Sequence, residues 1–189
     1  LTPIYDIANQ FAQYTQTSIF ITGNAGTGKT TFLRKLRSTT QKQIAVVAPT
    51  GVAAINAGGV TIHSFFQLPF TPFVPTIEGE HNLMSKIKMT SMRRKVIQEL
   101  ELLVIDEISM VRADLLDEID TVLRHIRYRK NLPFGGVQVI FIGDLYQLPP
   151  VVTPDVQETL APYYEGFFFF NSKVIQQQPP TYIEFDTIF

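Results

Sequence analysis

Gly23-Asn24-Ala25-Gly26-Thr27-Gly28-Lys29-Thr30 is a complete phosphate-binding loop of the G-x-x-x-x-G-K-[ST] type. Gly23, Gly26 and Gly28 admit backbone conformations closed to other residues, so consecutive N–H groups can turn inward on phosphate oxygens. Asn24, Ala25 and Thr27 complete the cradle. Lys29 brings a point charge for the β- and γ-phosphates, and the Thr30 hydroxyl can enter a Mg²⁺ shell. Residues 18–22, Ser-Ile-Phe-Ile-Thr, precede the loop as a short β-type run. The segment from Thr31 to Leu36 follows it as an amphipathic helix whose N-terminus favours an anion. Strand, loop and helix in this order predict a site for a nucleoside triphosphate with Mg²⁺.

Working outward, apolar runs of strand length recur at 18–22, 44–48, 102–106, 137–143 and 181–185, with helical segments between them. Most are continuous in Ile, Val, Leu or Phe, the pattern of parallel strands buried on both faces. Between the third and fourth runs lies a helix. Leu115, Leu116, Ile119, Val122, Leu123 and Ile126 share one side of it, while Asp117, Glu118, Asp120 and Arg124 take the opposite side. This alternation predicts an α/β fold, a parallel sheet flanked by helices, with the nucleotide at the carboxyl edge of the strands. Residues 66–98 break the rhythm. Pro69, Pro72 and Pro75, interleaved with Phe66, Phe70 and Phe73, argue against regular helix or a central strand. Lys86, Lys88, Arg93, Arg94 and Lys95 follow as a basic stretch. The region reads as a small subdomain inserted on the sheet.

The formal net charge of −1 gives no global signal for nucleic acid, so any such binding must come from a local patch. Cysteine is absent, which excludes disulfides and thiolate metal sites and agrees with a reducing, cytoplasmic setting. No apolar run approaches a membrane span. A chain opening at Leu1 and closing at Phe189 within a β-like run reads as a fragment.

Three further constellations carry chemistry. Residues 102–107, Leu-Leu-Val-Ile-Asp-Glu, form an apolar strand ending in two acids. Beside a phosphate loop, Asp106 is placed to reach the metal held by Thr30, and Glu107 to polarise an attacking water. An adjacent Asp-Glu pair favours hydrolysis over transfer to a small molecule. The strand at 137–143 ends in Gly143-Asp144-Leu145-Tyr146-Gln147-Leu148-Pro149-Pro150. The Gln147 amide can bond both phosphate and water there and so sense the triphosphate. After the strand at 44–48, Thr50, Gly51, Thr61 and Ser64 are small groups suited to a phosphodiester backbone, with His63 and Phe65 available to cap or stack. Taken alone, a single histidine is as compatible with packing as with a contact, and a basic stretch such as 86–95 is more often a solvated face.

In this order the motifs resemble those of superfamily-one DNA helicases, specifically the Pif family. GNAGTGKT is similar to its nucleotide loop, APTGVAAINAGGVTIHSFF to its second motif, DEISMV to its acidic strand end and GDLYQLPPV to its glutamine-bearing third motif. The segment from Ile108-Ser109-Met110-Val111 through Leu115-Leu116-Asp117-Glu118-Ile119 to Ile126-Arg127 resembles the signature between the last two. The resemblance implies a RecA-like ATPase domain that binds ATP and Mg²⁺ within a monomeric 5′-to-3′ DNA helicase serving repair, recombination or genome maintenance. It implies that Lys29 and Thr30 hold phosphate and metal, that Asp106 and Glu107 are metal-associated acid and catalytic base, and that Gln147 couples γ-phosphate to DNA. Thr50, Gly51, Thr61, His63 and Ser64 would follow a single DNA strand, and residues 66–98 would form a wedge at the duplex junction. Gln10 is the candidate for the adenine contact that the family places upstream of the loop.

The family's second RecA-like domain, which supplies arginine fingers, is expected beyond Phe189. An arginine finger contributes about 10³–10⁵ in turnover, so the chain by itself is expected to bind ATP and hydrolyse it weakly. Two other readings stay open at this level. One is an ATP-dependent DNA-binding switch without unwinding, and the other a nucleotide or small-molecule kinase, which would call for an arginine-bearing lid and an acceptor pocket.

Overall fold

A computed structural model describes residues 3–186. In chain order the elements are α1 (Pro3–Tyr14), β1 (Ile19–Thr22), α2 (Lys29–Thr39), β2 (Ile44–Ala48), α3 (Gly51–Ala57), β3 (Val60–Thr61), α4 (Ile62–Phe66), α5 (Ile77–Lys86) and α6 (Ser91–Glu99). They continue with β4 (Leu102–Ile105), α7 (Ala113–Ile126), β5 (Gln138–Ile142), α8 (Pro154–Leu160), α9 (Lys173–Gln177) and β6 (Thr181–Glu184). The strands form one sheet in the order β3-β2-β4-β5-β1-β6, every pairing parallel. All five expected strands are present. The sixth, β3, is a two-residue edge strand whose length leaves no periodic signal to read.

Continuous apolar strands are explained by the two faces they serve. Phe20, Val47, Leu103, Ile105, Val139 and Phe141 enter one core with α7. Their neighbours Ile19, Ile21, Val46, Leu102, Val104, Ile140 and Ile142 pack on the other face against Tyr5, Ala8 and Ala12 of α1 and Phe32, Leu33 and Leu36 of α2. Polar alternation along these strands would therefore bury unpaired groups on one side or the other.

The proline- and phenylalanine-rich stretch, residues 67–76, is irregular as its composition predicts, and α5 and α6 follow it. Phe66, Leu68, Phe73, Leu83, Ile87 and Ile97 from this region join the same core as α7. Helix α7 is consequently covered on both sides. Leu116, Ile119, Val122, Leu123 and Ile126 face the sheet core, but Asp114, Asp117, Glu118 and Asp120 are buried as well.

Three of those acids serve as acceptors for backbone that arrives from elsewhere. Asp114 accepts the Phe73 N–H at 3.1 Å and two bonds from the Arg112 guanidinium at 2.8 and 2.9 Å. Asp117 accepts the N–H groups of Lys173 and Val174, both at 2.9 Å, and the Tyr164 hydroxyl at 2.7 Å, and so caps the start of α9. Asp120 accepts the Phe134 N–H at 2.6 Å and Arg124 Nε at 2.8 Å. Arg127 closes the end of α6, donating from Nη1 to the carbonyls of Ile97, Gln98 and Leu100 at 2.9, 2.7 and 2.7 Å. Carboxylates bonded this way satisfy loop N–H groups that have no strand or helix partner.

Candidate functional site

The strand order places β4, β5 and β1 side by side, so their carboxyl ends open onto one cleft. Asp106 follows β4, Gly143 follows β5 and the glycine-rich loop follows β1. The cleft encloses about 440 Å³ and is lined by Ala25, Gly26, Gly28, Lys29, Thr30, Thr31, Asp106, Glu107, Gly143, Asp144 and Gln147. A larger concavity of about 630 Å³ lies between residues 69–86 and Glu118, but it gathers no glycine-rich loop and no pair of strand-end acids.

Within the loop, Gly23, Gly26 and Gly28 take positive φ values of 144°, 83° and 89°. A side chain at Gly23 would also collide with the Phe185 carbonyl, so that position needs glycine twice over. Thr27 is turned inward, its hydroxyl donating to the Asn24 carbonyl at 2.9 Å. The Lys29 amine donates to the carbonyls of Gly23 and Asn24. Burial lowers its pKa, against the pull of Asp144, Glu107 and Asp106. Helix α2 begins directly behind, with Phe32 N–H bonded to Gly28 O at 2.8 Å. Helix geometry leaves the N–H groups ahead of Phe32 free to face an anion.

Asp106 is half-buried and accepts the Glu107 N–H at 3.0 Å. Burial is the main reason its pKa rises to about 6, and the Glu107 charge adds to it, while that backbone bond and Lys29 oppose the rise. Glu107 sits in the left-handed region, φ 52° and ψ 45°, which is costly for a residue with a side chain. The turn that follows holds it there through Met110 N–H to Glu107 O at 3.0 Å. Across the cleft, Asp144 accepts the Tyr146 N–H at 3.0 Å and the Gln147 amide at 3.3 Å.

A second face adjoins the first. Thr50 and Thr61 cap α3 and α4, accepting the N–H groups of Ala53 at 3.2 Å and Ser64 at 3.3 Å. Gly51 and Ser64 are exposed, and a side chain at Gly51 would meet open space. A depression of about 260 Å³ joins Thr50 and His63 to Phe70, Arg112, Glu118 and Val151. His63 is half-buried, and burial together with the nearby Arg112 lowers its pKa. Phe65 departs from its expected role. It is 6% exposed, packed edge-on against Phe66 with the Arg93 guanidinium over its ring, and its ring is closed to a base. Gln10 lies on the exposed side of α1 and does not line the 440 Å³ cleft.

Comparison with known proteins agrees with this geometry. A sequence profile described as PIF1-like helicase matches residues 2–163. The ATP-dependent DNA helicase PIF1 of Candida albicans is 42% identical over 161 residues, 82% of this chain and 17% of the relative. The chain belongs to the PIF1-like helicase family. Its human relative, also an ATP-dependent DNA helicase PIF1, is 43% identical over 138 residues, covering 71% of this chain and 20% of that protein. Among solved structures, Bacteroides sp. Pif1 in complex with ADP-AlF4 superposes with a TM-score of 0.90 at 45% identity, covering all of this chain and 42% of that one. Bacteroides Pif1 bound to single-stranded DNA gives a TM-score of 0.89 at 45% identity. The chain thus spans less than half of the solved relatives and about a sixth of the Candida protein.

As a member of the PIF1-like family, the chain has a RecA-like sheet with its motif residues at neighbouring strand ends. Asp144 is the site residue that motif reading passed over. Its signal was present as the first acid after a buried strand, as Asp106 is one strand away, although Gly143 sets it one residue further from its strand end. Phe70 was likewise hidden, because three phenylalanines within six residues do not reveal which ring faces water.

Proposed function

We propose that the chain is the ATP-binding motor domain of an ATP-dependent DNA helicase, coupling hydrolysis to movement along single-stranded DNA and to duplex unwinding in the 5′-to-3′ direction. One observation carries the reading. Residues 143–151 form a single short segment whose first part, with Asp144 and Gln147, lines the nucleotide cleft and whose end, Val151, lines the depression holding Thr50 and His63. A change at the γ-phosphate end of such a segment is felt at the other end, because the two proline residues between them stiffen it.

In this mechanism the loop N–H groups and Lys29 hold the β- and γ-phosphates. Thr30 and Asp106 would hold Mg²⁺, which neutralises phosphate charge when bound. The fit is chemical: both residues offer hard oxygen donors on one cleft, and burial leaves the Asp106 carboxylate in need of a counter-charge. No cluster of three or more His, Cys, Asp or Glu suited to a metal exists among the described residues. Glu107 accepts the proton of the attacking water, and Gln147 orients that water while bonding the γ-phosphate. Asp144 holds the Gln147 amide on its near side.

The companion DNA face is Thr50, Gly51, Thr61, His63 and Ser64, contacting backbone without reading sequence. A second RecA-like domain of the same full-length protein and a wedge role for residues 66–98 belong to the same proposal. No helix among the described residues is long and apolar enough to cross a membrane.

The test is reciprocal binding. ATP–Mg²⁺ affinity is measured with and without oligo-dT, and oligo-dT affinity with and without nucleotide; linkage requires equal factors in both directions. Binding of neither ligand, or transfer of the γ-phosphoryl group from ATP to a small acceptor with release of ADP in place of a DNA response, defeats the motor reading. Tailed duplexes of opposite polarity, given to the full-length protein, then read unwinding and its direction, and separate a motor from a DNA-binding switch.

A further inference from the structure

Phe70 stands with its ring 89% exposed, while Leu68 and Phe73 on either side of it are buried at 6% and 5%. The strap that carries it is held at both ends. Gln67 caps α4 in the left-handed region, φ 56°, and Leu68 N–H returns to His63 O at 3.0 Å. At the far end Phe73 N–H is fixed on Asp114 at 3.1 Å, and Pro69 and Pro72 stiffen the span between. This sharp turn folds Phe70 back over His63, with ring centroids 4.6 Å apart and planes only 12° from parallel.

Two features follow. One face of the Phe70 ring is supported by the imidazole, and the other is open. The ring also borders the depression that contains Thr50, Arg112 and Val151. A flat, supported ring beside the hydroxyl-bearing Thr50 and Thr71, at the rim of a groove, offers a nucleobase a third layer in an existing stack while its sugar–phosphate lies toward Thr50. Arg112 is neutralised by Asp114 through two bonds and Glu118 lines the same depression, so the open ring face, and not a net positive charge, defines the place.

We propose that Phe70, backed by His63, is a preformed platform on which one unpaired base of single-stranded DNA stacks. The inference rests on the reading of this face as a DNA path and adds a defined subsite to it. Because every base has a π-face, the platform is indifferent to sequence and sensitive to the presence of a base.

The experiment uses this chain and a series of short oligo-dT strands, each with one abasic position moved along the strand. Wild type is expected to lose affinity by about 5- to 100-fold when the abasic position falls on the platform and to change little elsewhere. In Phe70→Ala the overall affinity drops by a similar factor, and the abasic penalty disappears, because no ring is left to lose contact with. Thermal unfolding of Phe70→Ala matches wild type, since the side chain is in water. The chain has no tryptophan, so Phe70→Trp places a unique fluorophore on the platform. Its emission is quenched by the intact strand and not by the strand abasic at the sensitive position. An abasic penalty that persists undiminished in Phe70→Ala, or Trp emission that is unmoved at saturating DNA, overturns the platform while leaving the DNA path intact. Failure of wild type to bind any single strand removes the path itself, and the platform with it.

Discussion

Gln147 donates its side-chain amide to Asp144 Oδ2 at 3.3 Å and its backbone N–H to the Asp144 carbonyl at 3.0 Å. The pair folds the segment after β5 into a turn whose glutamine is presented to the cleft. If the glutamine orients water, loss of its anchor should damage turnover more than binding. In the full-length protein, Asp144→Ala is therefore expected to hold ATP affinity within a few-fold and to cut DNA-stimulated turnover on the order of 10²-fold. Asp144→Asn retains an acceptor oxygen for the amide and falls between the two. Steady-state hydrolysis beside nucleotide titration checks this; equal turnover in the alanine variant would remove the anchoring role.

Lys29 touches only the carbonyls of Gly23 and Asn24 among its described hydrogen-bond partners, and it supports no core contact. Lys29→Ala is expected to weaken ATP binding by ~10²-fold through loss of charge-assisted bonds to phosphate. Stability should stay within about 0.5 kcal/mol of wild type. Calorimetric titration with ATP–Mg²⁺, paired with thermal unfolding, distinguishes a lost ligand from a lost fold.

Glu107 makes the complementary case, because its left-handed backbone is set by the turn behind it and not by its carboxylate. Glu107→Gln keeps the same backbone demand and a side chain of the same shape. In the full-length protein it should bind ATP as wild type does and lose about 10²–10⁴ in hydrolysis rate, the range of a removed general base. Normal turnover in this variant would reassign the base.

How much of this was legible before the structure depends on where each signal resides. The phosphate loop and the acids at 106–107 are local patterns, and β4, β5 and β1 bring them together because parallel topology puts consecutive motifs at one edge. Burial of the α7 acids was not legible. Helical periodicity says that Asp117 and Asp120 oppose the sheet, but their partners lie 57 residues away at Val174 and 14 at Phe134, and Asp114, outside that pattern, finds Phe73 41 residues away. Phe65 is buried as part of α4, whereas Phe70 lies beyond the left-handed cap Gln67, which turns the chain back toward His63. A glutamine in that conformation carries no compositional mark.

Glu118 supplies the last test. It is 2% exposed in α7, and among the described residues no hydrogen bond reaches its carboxyl. Burial, aided by Asp114 and opposed by Arg112 and Lys86, raises its pKa from 4.5 to about 8. The folded protein therefore keeps a proton that the unfolded chain releases near pH 4.5. Stability from this group is fullest below that pH, falls as pH rises, and levels off above about 8. A difference of that size sets ~5 kcal/mol as the scale of the whole decline. Glu118→Gln removes the ionisation while keeping the shape. It should match wild type within about 1 kcal/mol at pH 5 and exceed it by several kcal/mol at pH 8.5. Denaturant titrations of both proteins at the two pH values read the difference directly, since every other titrating group contributes alike to each. Parallel pH profiles would mean that Glu118 is charged and solvated in the native state, and the account of α7 as a helix covered on both sides would need revision at that position.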